Sequence, residues 1–419
     1  MVTGQNPEVV VIGGGPGGST AATILAQAGK RVTLFEREHF PRFHIGESLI
    51  PETYWTLQRL GVLPKMKGSR YIKKYSVQFI TEHGKLSAPF YFWDNKQHES
   101  SQTWQVMRSV FDQTLLENAR SVGVDVHEGV RVLEVLFDGT TATGVRIQKE
   151  DGTESVVNAE VVVDASGQST MIQSRLNLRQ WDADLKKAAL WTYWEGVFRD
   201  IGKDEGATIV AQTAGKKGWF WYIPLHDDVV SVGVVTDAKD LFKERTGDLE
   251  ALYQDQVDRC PGIKSRIQHG KRVAPFRVAK EYSYRSRQAA GDGWVLVGDA
   301  FGFLDPLYSS GVLLALKSGE LAADAVIEGF EKGDLSGSQL GKWQPDFEVG
   351  MNRMRRLVLE YYNGLSFGGV IKRHPHIQGM LTDLLIGDLF KDELEEAFRC
   401  IEEYKAYKKS SAMEMASVD

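Results

Sequence analysis

Six residues near the N-terminus carry the first chemically useful spacing: Gly13-Gly14-Gly15-Pro16-Gly17-Gly18. Glycines at 13, 15 and 18 form GxGxxG, directly after the apolar run Glu8–Ile12 and before a stretch of helical composition, Ser19–Ala28. The first glycine permits a tight turn, the second lets a pyrophosphate approach the backbone, and the third lets helix and strand pack closely. Pro16 lies within this glycine turn, and the N-terminus of the helix that follows faces the phosphates. Glu36 ends the following strand 23 residues after Gly13, where an acid accepts hydrogen bonds from a ribose diol. A ligand-free glycine turn is the competing reading; the strand, helix and acid together favour a dinucleotide. A second stretch, Val295–Ala300, runs an apolar strand into Gly298-Asp299. Gly298 allows close backbone approach, and Asp299 can hold a hydroxyl or cap the next helix. Trp219-Phe220-Trp221-Tyr222-Ile223-Pro224 is the third. A strand alternates faces, so Trp219, Trp221 and Ile223 share one side as an apolar wall. Taken alone, this is also the composition of a core strand.

The elements that must position these residues follow from periodicity. Val32–Phe35 completes a βαβ unit with Glu8–Ile12. Val110–Ser121 has helical spacing, Gly123–His127 is a strand, and Val130–Gln148 and Glu154–Asp164 alternate as strands. Ala188–Val197, Ala207–Ala211, Gly218–Pro224 and Val229–Thr236 form a second sheet; a helix is expected over Asp240–Gln254. Gly293–Val297 returns to the first sheet, Val312–Gly329 is a long helix, and the chain beyond Lys342 is helical. The fold class is α/β with an α+β insert: a discontinuous Rossmann-like domain, an inserted mixed β-sheet domain and a helical C-terminus. The expected boundaries are 1–70 with 106–180 and 280–335 for the nucleotide domain, 71–105 with 181–279 for the sheet domain, and 336–419 for the helical region.

The late Gly-Asp segment resembles that of the p-hydroxybenzoate-hydroxylase type of FAD enzymes, and Val161–Gly167 (VVVDASG) resembles another segment of those families. The resemblance makes the dinucleotide FAD. Trp219–Pro224, as WxWxIP, matches the signature of flavin-dependent halogenases. In that family the wall, here Trp219, Trp221, Ile223 and Pro224, keeps substrate away from the flavin and suppresses hydroxylation. Phe40–Pro51 (FPRFHIGESLIP) resembles a family segment that implies Arg42 and Ser48 as FAD neighbours. Met107–Asp112 resembles one in which the arginine, here Arg108, touches FAD; an exposed arginine at a helix start is the alternative. Asp305–Gly311 (DPLYSSG) resembles the halide segment. It implies Pro306 and Gly311 at the cofactor and the amides of Ser310 and Gly311 at chloride or bromide, a sound use of a helix N-terminus. Tyr71–Phe79 resembles the strand that supplies the family's lysine, which maps to Lys74; Lys73 points to the other face. A solvated lysine pair is the alternative. For catalysis, burial should depress the Lys74 pKa.

The resemblance implies an oxidoreductase that uses reduced flavin, O2 and chloride or bromide to make hypohalous acid, which passes to Lys74 and halogenates an electron-rich aromatic. Tryptophan halogenases carry a glutamate where this chain has Tyr308, so a phenol or pyrrole, free or carrier-bound, is expected rather than free tryptophan. Asp164–Gly167 replaces the segment by which related hydroxylases engage NADPH, so a separate flavin reductase is the expected electron source. An FAD monooxygenase, a geranylgeranyl-reductase-like enzyme and a non-catalytic FAD binder are the alternatives. The substrate pocket is expected near Asn95–Gln105, Trp191, Trp194, Tyr361, Tyr362 and Phe367. Arg353, Arg355, Arg356, Lys372 and Arg373 could offer a basic surface to an acidic carrier.

Composition narrows the class. The 419 residues are 42% hydrophobic and 25% charged, which excludes a disordered chain. A formal charge of −6 gives no basic excess for nucleic acid. Cys260 and Cys400 form no disulfide framework and lie in no Cys/His motif, so no metal is expected. No basic leader precedes an apolar stretch and no membrane-length apolar run exists, so a cytoplasmic enzyme is expected.

Overall fold

The computed structural model describes residues 6–242, 248–280 and 282–416. The chain opens on strand β1 (Val9–Ile12), helix α1 (Pro16–Gln27) and strand β2 (Val32–Phe35). It then leaves this sheet through β3 (Ile72–Lys74), β4 (Ser76–Ile80), β5 (Phe90–Tyr91) and β6 (Thr103–Gln105). Helix α2 (Arg108–Ser121) and strand β7 (Asp125–His127) lead back, and β8 (Val161–Asp164) follows a small antiparallel sheet over residues 131–158. The second sheet is built from β9 (Lys187–Glu195), β10 (Thr208–Gln212), β11 (Gly218–Pro224) and β12 (Val230–Asp237). The chain returns through β13 (Trp294–Leu296) into helix α3 (Ser310–Lys332). Helices α4 (Gln344–Tyr362), α5 (Phe367–Arg373), α6 (Gln378–Ile386) and α7 (Leu394–Ala416) form the C-terminal region.

The first sheet runs β13-β8-β1-β2-β7, all parallel, with Ala290–Gly291 antiparallel at its edge. Its central strands, VVVI and VVVD, are buried throughout, as expected for a parallel sheet covered on both faces. Helix α1 packs against α3 so closely that Gly319 would place a Cβ 2.6 Å from the Gly17 carbonyl oxygen. In the second sheet β9-β12-β11-β10 are antiparallel, and β4 then adds in parallel to β10. Strand β11 is also buried on both faces. Phe220 and Tyr222 join a core with Tyr253 and Ile263, while Trp219, Trp221 and Ile223 face the first sheet.

The expected α/β class, with an inserted mixed sheet and a helical C-terminus, is what the chain adopts. The helix expected over Asp240–Gln254 is two: Ala238–Leu241 and Leu249–Asp258, the second capped by Asp248. Residues 243–247 of that expectation lie outside the described residues. No helix among the described residues is long and apolar enough to cross a membrane.

Candidate functional site

A cavity of about 790 Å³ runs from the β1–α1 turn to the start of α3 and under the β11 wall. At one end Gly13 adopts φ +99°, and a Cβ there would lie 2.5 Å from the Ala165 carbonyl oxygen. A Cβ on Gly18 would run into the Gly13 carbonyl oxygen. Gly15 is the extended cap of α1, Pro16 is its first residue, and no side chain closes the helix start. The first turn of α1 therefore presents free amides to an anion. Glu36 accepts hydrogen bonds from Gly14 N (2.8 Å) and Glu38 N (3.0 Å), which fixes the acid at the cavity wall.

Three segments meet across the middle. Arg108 donates from Nε and Nη2 to Asp112 at 2.7 and 2.9 Å, and Arg42 donates to the same carboxylate at 2.9 Å. Arg108 also donates to Ile45 O at 2.6 Å, holding the 42–48 segment against α2. Both arginines line the cavity. Opposite them stand Gly298, at φ +59°, and Asp299, whose carboxyl burial pushes up to about 6. A glycine cradle at one end, two paired arginines and a half-buried acid at the other suit a long chain bearing phosphates and hydroxyls. These residues fit FAD.

The aromatic wall and the late loop are joined. Trp219 Nε1 donates to Tyr362 Oη at 2.9 Å, and Tyr362 Oη donates to Asp305 at 3.0 Å. Trp221 Nε1 donates to Ser231 Oγ at 3.1 Å. Trp219, Trp221 and Ile223 line the cavity. Pro224 does not: it shares the parity of Phe220 and Tyr222 and is buried on the other face of the sheet. In the late loop Ser309 takes a left-handed conformation (φ +58°) and α3 begins at Ser310 without a capping side chain. Pro306 and Gly311 line the cavity, whereas the Ser310 side chain is buried beside it.

Lys74 is 2% exposed. Its Nζ donates to Ser48 Oγ at 2.9 Å and to Leu49 O at 3.0 Å, and it lies 5.7 Å from the Phe92 ring. Ser48 and Thr208 hydroxyls share a 2.8 Å hydrogen bond, and Gln105 donates to Thr208 Oγ1 at 2.9 Å. Among the described residues no carboxylate pairs with the ammonium, and burial lowers its pKa to about 7. Lys73 points outward and is exposed, as strand alternation requires.

The family profile described as tryptophan halogenase matches residues 8–92 and 82–365. A 1H-pyrrole-2-carbonyl-(peptidyl-carrier protein) chlorinase of Pseudomonas fluorescens is 30% identical, over 94% of this chain and 94% of its own. The chain belongs to the tryptophan-halogenase family of flavin-dependent halogenases. A 1H-pyrrole-2-carbonyl-(peptidyl-carrier protein) brominase of Pseudoalteromonas luteoviolacea is 32% identical, over 95% of this chain and 97% of its own. The structure of the flavin-dependent brominase Bmp2 superposes with a TM-score of 0.85 at 29% identity, over 96% of this chain and all of that one. This halogenase is thus an FAD- and halide-dependent oxidoreductase.

A second cavity of about 1030 Å³ lies beyond the halogenase's lysine, between β4–β5 and the C-terminal helices. Phe79, Phe90, Tyr91, Tyr361, Phe367 and Ile371 give it aromatic and apolar walls. Tyr308 packs edge-on against Tyr361 and Phe367, and its buried hydroxyl has no hydrogen-bond partner. Asn95 lines this cavity, and Trp191 lines the first. Trp194 is three residues from Trp191, hence on the opposite face, where it stacks on Tyr253. Of the basic surface expected at the C-terminus, Lys372 and Arg373 are exposed, whereas the three arginines of α4 are paired with acids. Arg353 is buried and pairs with Glu395, Arg356 pairs with Glu395, and Arg355 pairs with Asp182 and Asp184.

Sequence reasoning missed Glu47 and Asp112; it placed Tyr362 near the substrate pocket but not in its hydrogen bonds to Trp219 and Asp305. Glu47 is buried at the cavity wall and accepts from Tyr193 Oη at 2.6 Å; burial raises its pKa to about 7. Asp112 had a signal, since it stands one helical turn after Arg108.

Gly233 on β12 sits behind the tryptophan wall, and a Cβ there would strike both Trp221 and Trp191. Gly233→Ala is expected to destabilise the fold by about 1–3 kcal/mol through overpacking. It should also lower FAD affinity, because the displaced Trp221 ring has only the cavity to enter. Denaturant unfolding and flavin fluorescence titration measure the two effects.

Proposed function

We propose that this enzyme halogenates a pyrrole ring presented as an acyl group on a carrier protein, with a phenol as the next substrate class. The observation that carries the reading is Lys74, a lysine lacking a carboxylate partner and buried between two cavities. Ser48, its hydrogen-bond partner, lines the cofactor cavity. Phe92, beneath its ammonium, is flanked by Tyr91 and Asp94, which line the second. The carrier-linked substrates named for the two relatives that match nearly end to end support the substrate class.

In this reading FAD is held by Gly13, Gly15, Pro16, Gly18, Glu36, Arg42, Ser48, Arg108, Asp299, Pro306 and Gly311. Reduced by a separate flavin reductase in the cytoplasm, the bound flavin with oxygen supplies the oxidising equivalents that turn halide into hypohalous acid. The amides of Ser310 and Gly311, at the uncapped start of α3, hold the halide. The Trp219–Trp221 wall keeps the aromatic out of the cofactor cavity. The neutral Lys74 amine takes halogen from hypohalous acid with loss of water and passes it to the ring carbon, whose proton returns to the amine.

The test supplies a flavin reductase, NADH, FAD and bromide to carrier-bound pyrrole-2-carboxylate and, separately, to free pyrroles, indoles and phenols. Carrier species carrying the bromine isotope doublet are expected. Oxygenated rather than halogenated product, or turnover of the free compounds alone, would overturn the assignment.

A further inference from the structure

The C-terminal helices gather side chains of metal-binding type away from both cavities. Cys400 Sγ, buried on α7, lies 3.8 Å from His376 Nε2 and 3.6 Å from Glu396 Oε1. His376 Nε2 lies 3.4 Å from the same Glu396 oxygen. Zinc bound tetrahedrally by S, N and O at about 2.0–2.3 Å has ligand–ligand edges of about 3.3–3.7 Å. The triangle therefore has the size of one face of a zinc tetrahedron, although sulfur contacts of this length make only weak hydrogen bonds. Arg399 pairs with the other oxygen of Glu396, which leaves Oε1 directed at the cysteine and histidine. His374, its ring centroid 6.1 Å from that of His376, has a buried Nε2 without a hydrogen-bond partner among the described residues. That nitrogen lies 3.8 Å from a Glu403 carboxylate oxygen, and a ring nitrogen of His374 lies within 4.8 Å of Cys400 Sγ.

We propose that His376, Glu396 and Cys400 form a binding site for a zinc-class divalent cation, with water as fourth ligand and His374 as the nearest further donor. One thiolate, one imidazole and one carboxylate make a borderline donor set that selects zinc, or cobalt as its probe, over magnesium and calcium. Binding releases the thiol proton to solvent, so affinity rises with pH. Sequence spacing hides the group: Cys400 and Glu396 are one helical turn apart on α7, while His374 and His376 come from the segment after α5, some twenty residues earlier. The site ties α7 to the end of α5, whose Phe367 and Ile371 line the second cavity. It would thus act as a structural staple on that wall.

The test uses the full FAD-loaded chain without a histidine tag, stripped of metal and titrated with Co2+ against a metal-free reference. One equivalent should bind with a near-ultraviolet thiolate-to-cobalt charge-transfer band in the difference spectrum. Cys400→Ser should lose that band, and His376→Ala should weaken binding at least about tenfold. Zinc should raise the thermal midpoint of the wild type and not that of Cys400→Ser. His376→Ala keeps the thiol and the buried packing of α7, so it tests the site even where Cys400→Ser folds poorly. Absence of the charge-transfer band, or a band and affinity unchanged in both variants, would overturn the proposal.

Discussion

Lys74→Met should abolish halogenated product while leaving the fold, FAD binding and halide-dependent oxygen consumption in place. Methionine matches the length and apolar stem of the lysine, so the buried site stays filled and only the amine is lost. Removing a group that both receives and donates the reacting atom is expected to cost about 10²–10⁴-fold in rate, the range of a positioned proton- or group-transferring side chain. The oxidised halogen, no longer captured, should escape and be trapped by a diketone scavenger in solution. Lys74→Arg should fail as well, because a guanidinium stays protonated and cannot accept halogen. The pH profile gives the same residue a second signature. Burial lowers its pKa to about 7. Only the neutral amine is a nucleophile, so the rate should rise tenfold per unit below about 7 and level off above it. A wild-type profile flat from acid through neutrality, or a methionine variant within a few fold of the parent, would remove Lys74 from the chemistry.

What the sequence disclosed follows physical range. Local patterns were legible: the glycine turn, the buried parallel strands and the two-residue alternation that sends Lys74 inward and Lys73 outward all arise within a few residues of chain. Alternation was also where an error entered. Pro224 sits in the WxWxIP string, yet its even parity puts it with Phe220 and Tyr222 against the other core, and Trp194 departs from Trp191 for the same reason. Contacts made across the chain were not legible. Tyr362 reaches Trp219 over 143 positions, and Arg355 finds Asp182 over 173. A cluster of arginines looks like a basic surface until the acids of another segment are folded onto it. Cys400 has no histidine near it in sequence, and the turn after α5 brings His374 and His376 to it.

Asp112 carries the largest expected effect on the cofactor site after the lysine, although it has no part in the chemistry. It is completely buried and accepts three hydrogen bonds, two from Arg108 and one from Arg42. Burial alone would raise its pKa, and the two guanidinium groups outweigh it and hold the carboxyl below its usual range. The pair of charges it neutralises is itself largely out of solvent, at 5% and 10% side-chain exposure. Asp112→Ala would strand two buried cations, at a cost of about 3–5 kcal/mol. A carboxylate with a depressed folded-state pKa stabilises at pH values above its ordinary 3.8 and loses that contribution as pH falls through the folded-state value. The variant should therefore be destabilised most at neutral pH and converge on the parent in acid. FAD affinity should fall with it, since Arg108 also holds Ile45 and Gly46, and with them the segment leading to Ser48 and Lys74. Adding Arg108→Gln to Asp112→Ala removes one of the unpaired cations, so stability should partly recover. Flavin affinity should not, because the loop stays untethered. Thermal unfolding and flavin fluorescence titration on the single and double variants separate the two roles, and a single variant indistinguishable from the parent in both would show that the clamp positions nothing.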